Sequence, residues 1–331
     1  MGANDIGIDL GTVNTLISNK NRGLVLNEPS VIATDTYSDK LIAIGSAARA
    51  MLGRTPDTVT ATMPVQNGVI ADFEKTSAML REYIAQVKRG WSSVSAIVAV
   101  PYKSTEVERR AVEDAVYASR VRKVYLLNKP IAAAIGCGLP VFEASGHMVV
   151  DMGGGSTEIS VVSMGGVVAQ TTLFDSGLQM DKDIVTYIKY NYGVIIGDLV
   201  AEDLKISLGS VTEKEIPDFM TVSGISPGER LPMNVTVSSD EIRQAINPTV
   251  QSILDGIRNT MEHLNPELAA DIMNNGIALC GGVSQLPGWA ELIQQETGVH
   301  TEVTVNPMET VAMGVGRALD MLQQLKDADS V

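Results

Sequence analysis

One short phrase occurs twice in this chain. "IGIDLGTVNTL" (6–16) and "VVDMGGGSTEI" (149–159) each run from β-branched residues into an Asp, then a Gly, then a hydroxyl-rich stretch. Such a phrase reads as a strand, a glycine turn and a returning strand. With Gly at its tip the hairpin leaves successive backbone N–H groups pointing outward, and a nest of that kind binds phosphate oxygens without basic side chains. Asp9 and Asp151, each at the end of a buried strand, then become two carboxylates facing one Mg2+, most simply through its waters, because Mg2+ dehydrates reluctantly. A chain that carries the phrase twice reads as a duplicated unit, two lobes that each supply half of a clamp around one polyphosphate.

The length suits this reading, since 331 residues correspond to about two domains of 100 to 200 residues each. A formal charge of −14 sets the general surface against phosphate backbones, which excludes nucleic acid as a partner held by counterion release. Any nucleotide is therefore held by local geometry, and no G-x-x-x-x-G-K-[ST] loop is present to do it the P-loop way. Cys137 and Cys280 are isolated and read as buried small apolar residues of a reduced compartment, and His147, His263 and His300 form no metal motif. No apolar run approaches the ~18 to 20 residues of a membrane span, and "MGANDIGIDL" lacks signal-peptide organisation, so the expectation is a cytoplasmic protein. Ile6 stands where an N-myristoylation motif needs Ser or Thr.

Apolar runs of strand length ("DIGIDL", "VSAIVAVP", "KVYLL", "HMVVDM", "EISVVS", "GIALC") alternate with helical stretches, the pattern of an α/β fold. Thr105 with Glu108, Ser238 with Glu241, and Asn306 with Glu309 have capping spacing, and Pro307 suits a first helical position. One helix is expected over 73–89, ending at Gly90, and another over 240–264, kinked or split at Pro248. Their apolar stripes are core. Between the two strand-rich blocks lies "NKPIAAAIGCGLP" (128–140), whose small residues permit very close backbone approach, and the crossing between domains is placed there. Residues 209–240 read as a surface subdomain of loops and short strands. A third glycine site, "GIALCGGVSQLPGW" (276–289), reads as strand, Gly-Gly turn and a helix starting near Pro287; Gly281 and Gly282 either admit a flat adenine or simply turn the chain.

In order and spacing, "IGIDLGTVNTL", "VLNEPSVIA", "NGVIADF", "EVERRAVEDA", "PIAAAIGCGLP", "MVVDMGGGSTEISVVS", "AEDLKISLG" and "QQETGV" resemble segments of the actin-like ATPase superfamily and, within it, the bacterial cell-shape MreB family. The resemblance runs almost end to end. It implies an actin-like (ribonuclease H-like) duplicated two-lobe α/β fold with ATP and Mg2+ in the interlobe cleft. The first lobe would be 1–145 with a small subdomain at about 32–66, and the second 146–331 with a small subdomain at about 179–253. A C-terminal helix over 307–325 would return to the first lobe. Carried over by position, Asp9, Gly11, Thr12, Val13 and Asn14 form the first phosphate loop, and Asp151, Gly153, Gly154, Gly155 and Ser156 the second. Asp9 and Asp151 face the metal through water, Asp151 and Ser156 also take catalytic positions, Glu202 and Lys205 face ribose and adenine, and Gly281 and Gly282 line the base.

Two positions depart from the family pattern. Val283 replaces a usual third glycine, which tightens or reshapes the adenine pocket. More consequentially, "LLNKP" stands where the family has Glu-Glu-Pro, so Lys129 replaces the Glu thought to position the attacking water. A charged Lys cannot accept that water's proton, and loss of such a residue costs about 10² to 10⁴ in rate, so ATP binding with slow hydrolysis is expected. Lys129 would either meet the γ-phosphate or point to solvent.

The resemblance further implies a head-to-tail homopolymer under the inner membrane that helps determine cell shape, with shape-determining or cell-wall membrane proteins as partners. Its start leaves too little chain for an N-terminal amphipathic anchor, but "KRGWSS" (88–93) sets Trp91 beside basic residues, the character of an interfacial anchor, with packing under its own domain as the other reading. The rivals within the superfamily are a sugar kinase, whose chains are usually longer, and a chaperone-type ATPase, whose substrate domain the ending "LQQLKDADSV" does not provide.

Overall fold

The computed structural model describes residues 5–88, 94–228, 231–328 and 330–331. The first lobe opens with an antiparallel meander of β1 (Ile6–Leu10), β2 (Asn14–Asn19) and β3 (Gly23–Pro29). Three short strands, β4 (Ile32–Asp35), β5 (Leu41–Ile44) and β6 (Val59–Thr62), make a separate small sheet, followed by a minimal ladder of β7 (Val65–Gln66) and β8 (Val69–Ile70). β9 (Ser95–Val100) and β10 (Lys123–Asn128) then rejoin the first sheet as parallel strands, giving the order β10-β9-β1-β2-β3.

The second lobe repeats this. β11 (His147–Met152), β12 (Thr157–Ser163) and β13 (Gly166–Leu173) form the meander, β14 (Phe219–Ile225) and β15 (Pro232–Ser238) a hairpin set apart from it, and β16 (Ile277–Cys280) and β17 (Thr301–Val303) the parallel strands, in the order β17-β16-β11-β12-β13. The two sheets are the same sheet in topology, so the repeated phrase marks a repeated architecture, and the duplicated two-lobe α/β fold expected from the sequence forms. The central strands β1, β9 and β11 are buried at every position, as near-continuous apolar runs between helical layers require.

Helix starts follow the capping chemistry at Thr105 and Ser238, where the reciprocal bonds with Glu108 and Glu241 are both made. They do not at Asn306: Pro307–Glu309 is a single 3-10 turn and the helix begins at Thr310. The C-terminal helix expected over 307–325 is three pieces, this turn, Thr310–Ala318 and Leu322–Asp327. The helix expected over 73–89 runs Phe73–Val87, and its expected end at Gly90 lies outside the described residues. Pro248 does not split its helix, which is continuous over Ser239–Glu262. That proline sits on the exposed face, while Ile242, Ile246, Ile253 and Ile257 on the other face are fully buried and hold the helix onto the second core. After the Gly-Gly turn the chain makes a 3-10 turn, Gly282–Gln285, and the helix starts at Trp289, two residues beyond Pro287.

Each lobe has its own core, and a third lies between them. It gathers Ile131 to Ile135, Val311 and Val315 from two helices, Ile97 and Leu127 from the first sheet, and Val149, Val162 and Cys280 from the second. The helices are Lys129–Gly136 and Thr310–Ala318, crossing at backbone contact: a Cβ on Gly136 would overlap the Thr310 carbonyl, and one on Gly314 the Ala132 carbonyl. The small residues of "IAAAIG" permit this approach. Cys137 and Cys280 also meet here; Cys280 is buried, and its hydrogen bond with Cys137, together with burial, pushes its thiol up, whereas Cys137 is half-buried.

Since the atom facing Gly314 is backbone, it cannot rotate away. Gly314→Ala is expected to destabilise the protein by about 2 kcal/mol or more, read as a shifted denaturant midpoint, while Gly197→Ala, where a Cβ meets nothing within 4 Å, should shift it little.

Candidate functional site

A cleft of about 350 Å³ opens between the lobes. Asp9, Gly11, Thr12, Val13, Asn14, Lys129, Asp151, Gly153, Gly154, Gly155, Ser156, Glu202, Lys205, Gly281 and Gly282, scattered through the sequence, all line it. Trp91 lies outside the described residues.

The two hairpin tips are built alike. Gly11 N–H donates to Asn14 O at 3.1 Å and Gly153 N–H to Ser156 O at 2.9 Å, which leaves the N–H groups of Thr12, Val13, Gly154 and Gly155 without a hydrogen bond among the described residues. The tips press against each other: a Cβ on Gly154 would overlap Val13, and one on Gly155 would overlap Thr12. Glycine at 154 and 155 is what lets the two tips come this close. Thr12 Oγ1 also accepts from Gly68 N–H at 2.9 Å, tying the first tip to the β7–β8 turn.

Beneath the tips lies a knot of buried charge. Asp9 is next to last in β1 and Asp151 next to last in β11, at matching places in the two sheets. Lys129, the first residue of the crossing helix after β10, reaches over from the first lobe, and its Nζ lies 2.7 Å from Asp151 Oδ2. It is half-buried, and its ammonium is turned onto Asp151 and not out to solvent. Burial works to lower its pKa, but the charges of Asp151, Asp9 and Glu158 outweigh burial and hold it well above the usual lysine value. Asp9 is pushed up to about 6, first by burial and further by Asp151, against the pull of Lys129. Glu158 faces Asp151 directly across the β11–β12 pair; burial pushes it up to about 7, with Lys129 opposing. Its Oε2 accepts from Gln170 Nε2 at 3.3 Å, and its Oε1 has no hydrogen-bond partner among the described residues.

Two facing carboxylates make a reasonable donor set for a hydrated Mg2+. The observed ion pair changes this, because Asp151 is already engaged by the chain's own ammonium. As a seat for a divalent ion shared by Asp9 and Asp151, the residues present do not fit.

At the far wall Lys205 Nζ pairs with Asp181 Oδ1 at 2.7 Å and donates to Gly177 O at 2.8 Å. Burial raises Asp181 to about 6, with Lys205 opposing. Glu202 forms an ion pair with Arg49 of the helix Gly45–Arg49, a bridge from the small sheet of the first lobe to the second lobe across the cleft mouth. Gly281 takes φ +84, where a Cβ would strike Met152 O, while a Cβ on Gly282 would meet only Met308 Cε at 3.9 Å. Gly281 thus shapes the turn, and Gly282 leaves the wall open to a flat ligand. Val283 packs over Gly177, and Trp289 Nε1 donates to its carbonyl at 3.1 Å. Sequence reasoning did not single out Glu158, Asp181, Arg49 or Met308. The register of the second hairpin was the available signal for Glu158: the residue seven after each Asp is Leu16 in one copy and Glu158 in the other.

The family model described as MreB/Mbl protein matches residues 3–327. The chain is 42% identical over 327 residues to the cell shape-determining protein Mbl of Bacillus subtilis strain 168, covering 98% of each. It is 41% identical over 329 residues to the cell shape-determining protein MreB of Escherichia coli K12, covering 97% of this chain and 95% of that one. Among solved structures, MreB5 of Spiroplasma citri bound to ADP superposes with a TM-score of 0.91 at 30% identity over 98% of both chains, and its AMPPNP-bound form with 0.92 over 97% of both.

Glu158 gives a pH test of the buried cluster. With a folded pKa of about 7 against an ordinary 4.5, its contribution to stability is full below the unfolded value and is lost as pH rises through about 7. Gln is neutral throughout. Glu158→Gln should therefore melt close to the native protein near pH 5 and be more stable by on the order of 1–2 kcal/mol near pH 8. Calorimetry at both pH values checks this, and an advantage that does not grow with pH would show that Glu158 is not held neutral.

Proposed function

The chain belongs to the MreB/Mbl protein family, and on that footing we propose that it is an adenine-nucleotide-binding cytoskeletal protein that polymerises head to tail into filaments and helps determine cell shape. The observation that carries the nucleotide reading is the pairing of two equivalent glycine tips, with unengaged N–H groups, over one cleft between two topologically identical sheets. Polyphosphate would lie against Thr12, Val13, Gly154 and Gly155, and the base against Gly282, between Val283 and Met308. Residues 1–145 and 146–331 are the two bodies whose angle the nucleotide would set, a population shift coupled to the polymer interface. A relative bound to ADP and to AMPPNP with nearly the same backbone supports this reading. Of the two carboxylates expected to face Mg2+, Asp9 alone has no ion pair among the described residues.

Hydrolysis would be slow. Lys129 is kept charged by three carboxylates, and a protonated amine offers no lone pair to a water. Slow turnover would make long-lived filaments. We place these at the inner face of the cell membrane, with shape-determining or cell-wall membrane proteins as partners. Among the described residues no helix is long and apolar enough to cross a membrane, so attachment would be peripheral; the sequence motif for it is Trp91 beside Lys88 and Arg89.

Sedimentation with and without ATP tests the assignment: the protein should pellet as filaments visible by electron microscopy, and phosphate transfer to sugars without pelleting would move it to the kinase branch of the superfamily. Phosphate release tests the turnover reading. Lys129→Glu is expected to raise the rate by about 10²-fold, and equal, fast rates in both proteins would remove the idea that Lys129 slows the reaction.

A further inference from the structure

Where the family resemblance implies a Glu, with a formal charge of −1, this chain has Lys129 with +1, a difference of +2, which is the charge of one Mg2+ ion. The new charge sits where the metal charge was expected. Lys129 Nζ is 2.7 Å from Asp151 Oδ2, its charge interacts with Asp9, and both carboxylates and the ammonium line the same cleft as the glycine tips. Its side chain is 17% exposed, so Asp151 holds it in place and it is not one of the solvated lysines of a surface.

Without Lys129 this floor would present Asp9, Asp151 and Glu158 to an incoming polyphosphate, and an external cation would be needed to separate like charges in a place where water screens them poorly. With Lys129 in position the separation is made by the chain. We propose that Lys129 is a built-in cation: anchored on Asp151 beside Asp9, its ammonium meets the polyphosphate directly and takes over the charge role of a divalent ion, so that nucleotide binding here has largely lost its dependence on metal. This rests on the cleft being a nucleotide site.

The test uses the full chain, stripped of metal and nucleotide, with ATP binding measured calorimetrically in excess EDTA and in excess Mg2+. The Kd of the native protein should differ by less than about threefold between the two conditions, whereas Lys129→Gln, which removes the charge, should weaken binding in EDTA by about tenfold or more, the equivalent of 1.4 kcal/mol. Native binding that needs Mg2+ would overturn the built-in cation and leave the nucleotide site standing. No binding in either condition by folded protein, checked by circular dichroism, would overturn both. A second measurement does not depend on nucleotide: Mn2+ titrated into the nucleotide-free protein and followed by electron paramagnetic resonance should stay free with native protein and become bound with Lys129→Glu. Tight Mn2+ binding by the native protein would overturn the proposal even if the variants did not fold.

Discussion

The backbone contact between the helices Lys129–Gly136 and Thr310–Ala318 decides where the rest of the molecule can go. Carbonyls of Ala132 and Thr310 lie where side chains would stand on Gly314 and Gly136, so the helices cannot slide past one another without collision in a close-packed interior. A core shared by both sheets surrounds them. Of the movements open to two lobes joined this way, a hinge is the one that keeps this core packed. On the other side of the hinge the hairpin tips meet, Val13 against Gly154 and Thr12 against Gly155, so a small change of angle is felt first at the place where phosphate would bind.

The charged cluster belongs to the same joint. Lys129 begins the crossing helix, and its ammonium ends on Asp151 of the opposite sheet, which makes it a tie between lobes as well as a charge. Three carboxylates in a nearly dry space would otherwise raise one another's pKa and push the lobes apart. Burial drives Asp9 to about 6 and Glu158 to about 7 in spite of the lysine.

The parts of this arrangement that are local were legible in the sequence. Repetition of a strand ending in Asp before a glycine turn stated the duplication, and the small residues of "IAAAIG" stated a close helix crossing. Capping boxes at Thr105 and Ser238 were readable because each is closed by residues three apart. Asn306 has the same spacing and fails, since Thr310 Oγ1 donates to its carbonyl and the chain is still turning to reach the crossing. Pro248 does not split its helix because local helix propensity loses to the burial of a long apolar face. The partners of Glu202 and Lys205 were not readable, because Arg49 stands 153 residues from Glu202 and only the closure of the lobes brings them together. Lys129 was readable as a departure from its family; that its charge would be caught by Asp151 was a question of geometry.

That capture bears on how nucleotide could work the hinge. A ligand shifts an equilibrium between open and closed only by the difference in its affinity for the two states. With an acidic residue at position 129 the empty site would gather four carboxyl groups across the joint, and the arriving cation and nucleotide would have their mutual repulsion to relieve. Lys129 relieves much of it beforehand, since the pair with Asp151 draws the lobes together with the cleft empty. Less free energy is then left for nucleotide to add on closing, and a joint of this kind should sit near its closed arrangement whichever nucleotide it carries. On the reading proposed above, the lysine that would slow hydrolysis would also weaken the coupling between nucleotide and shape, and both effects would favour a polymer that persists over one that cycles.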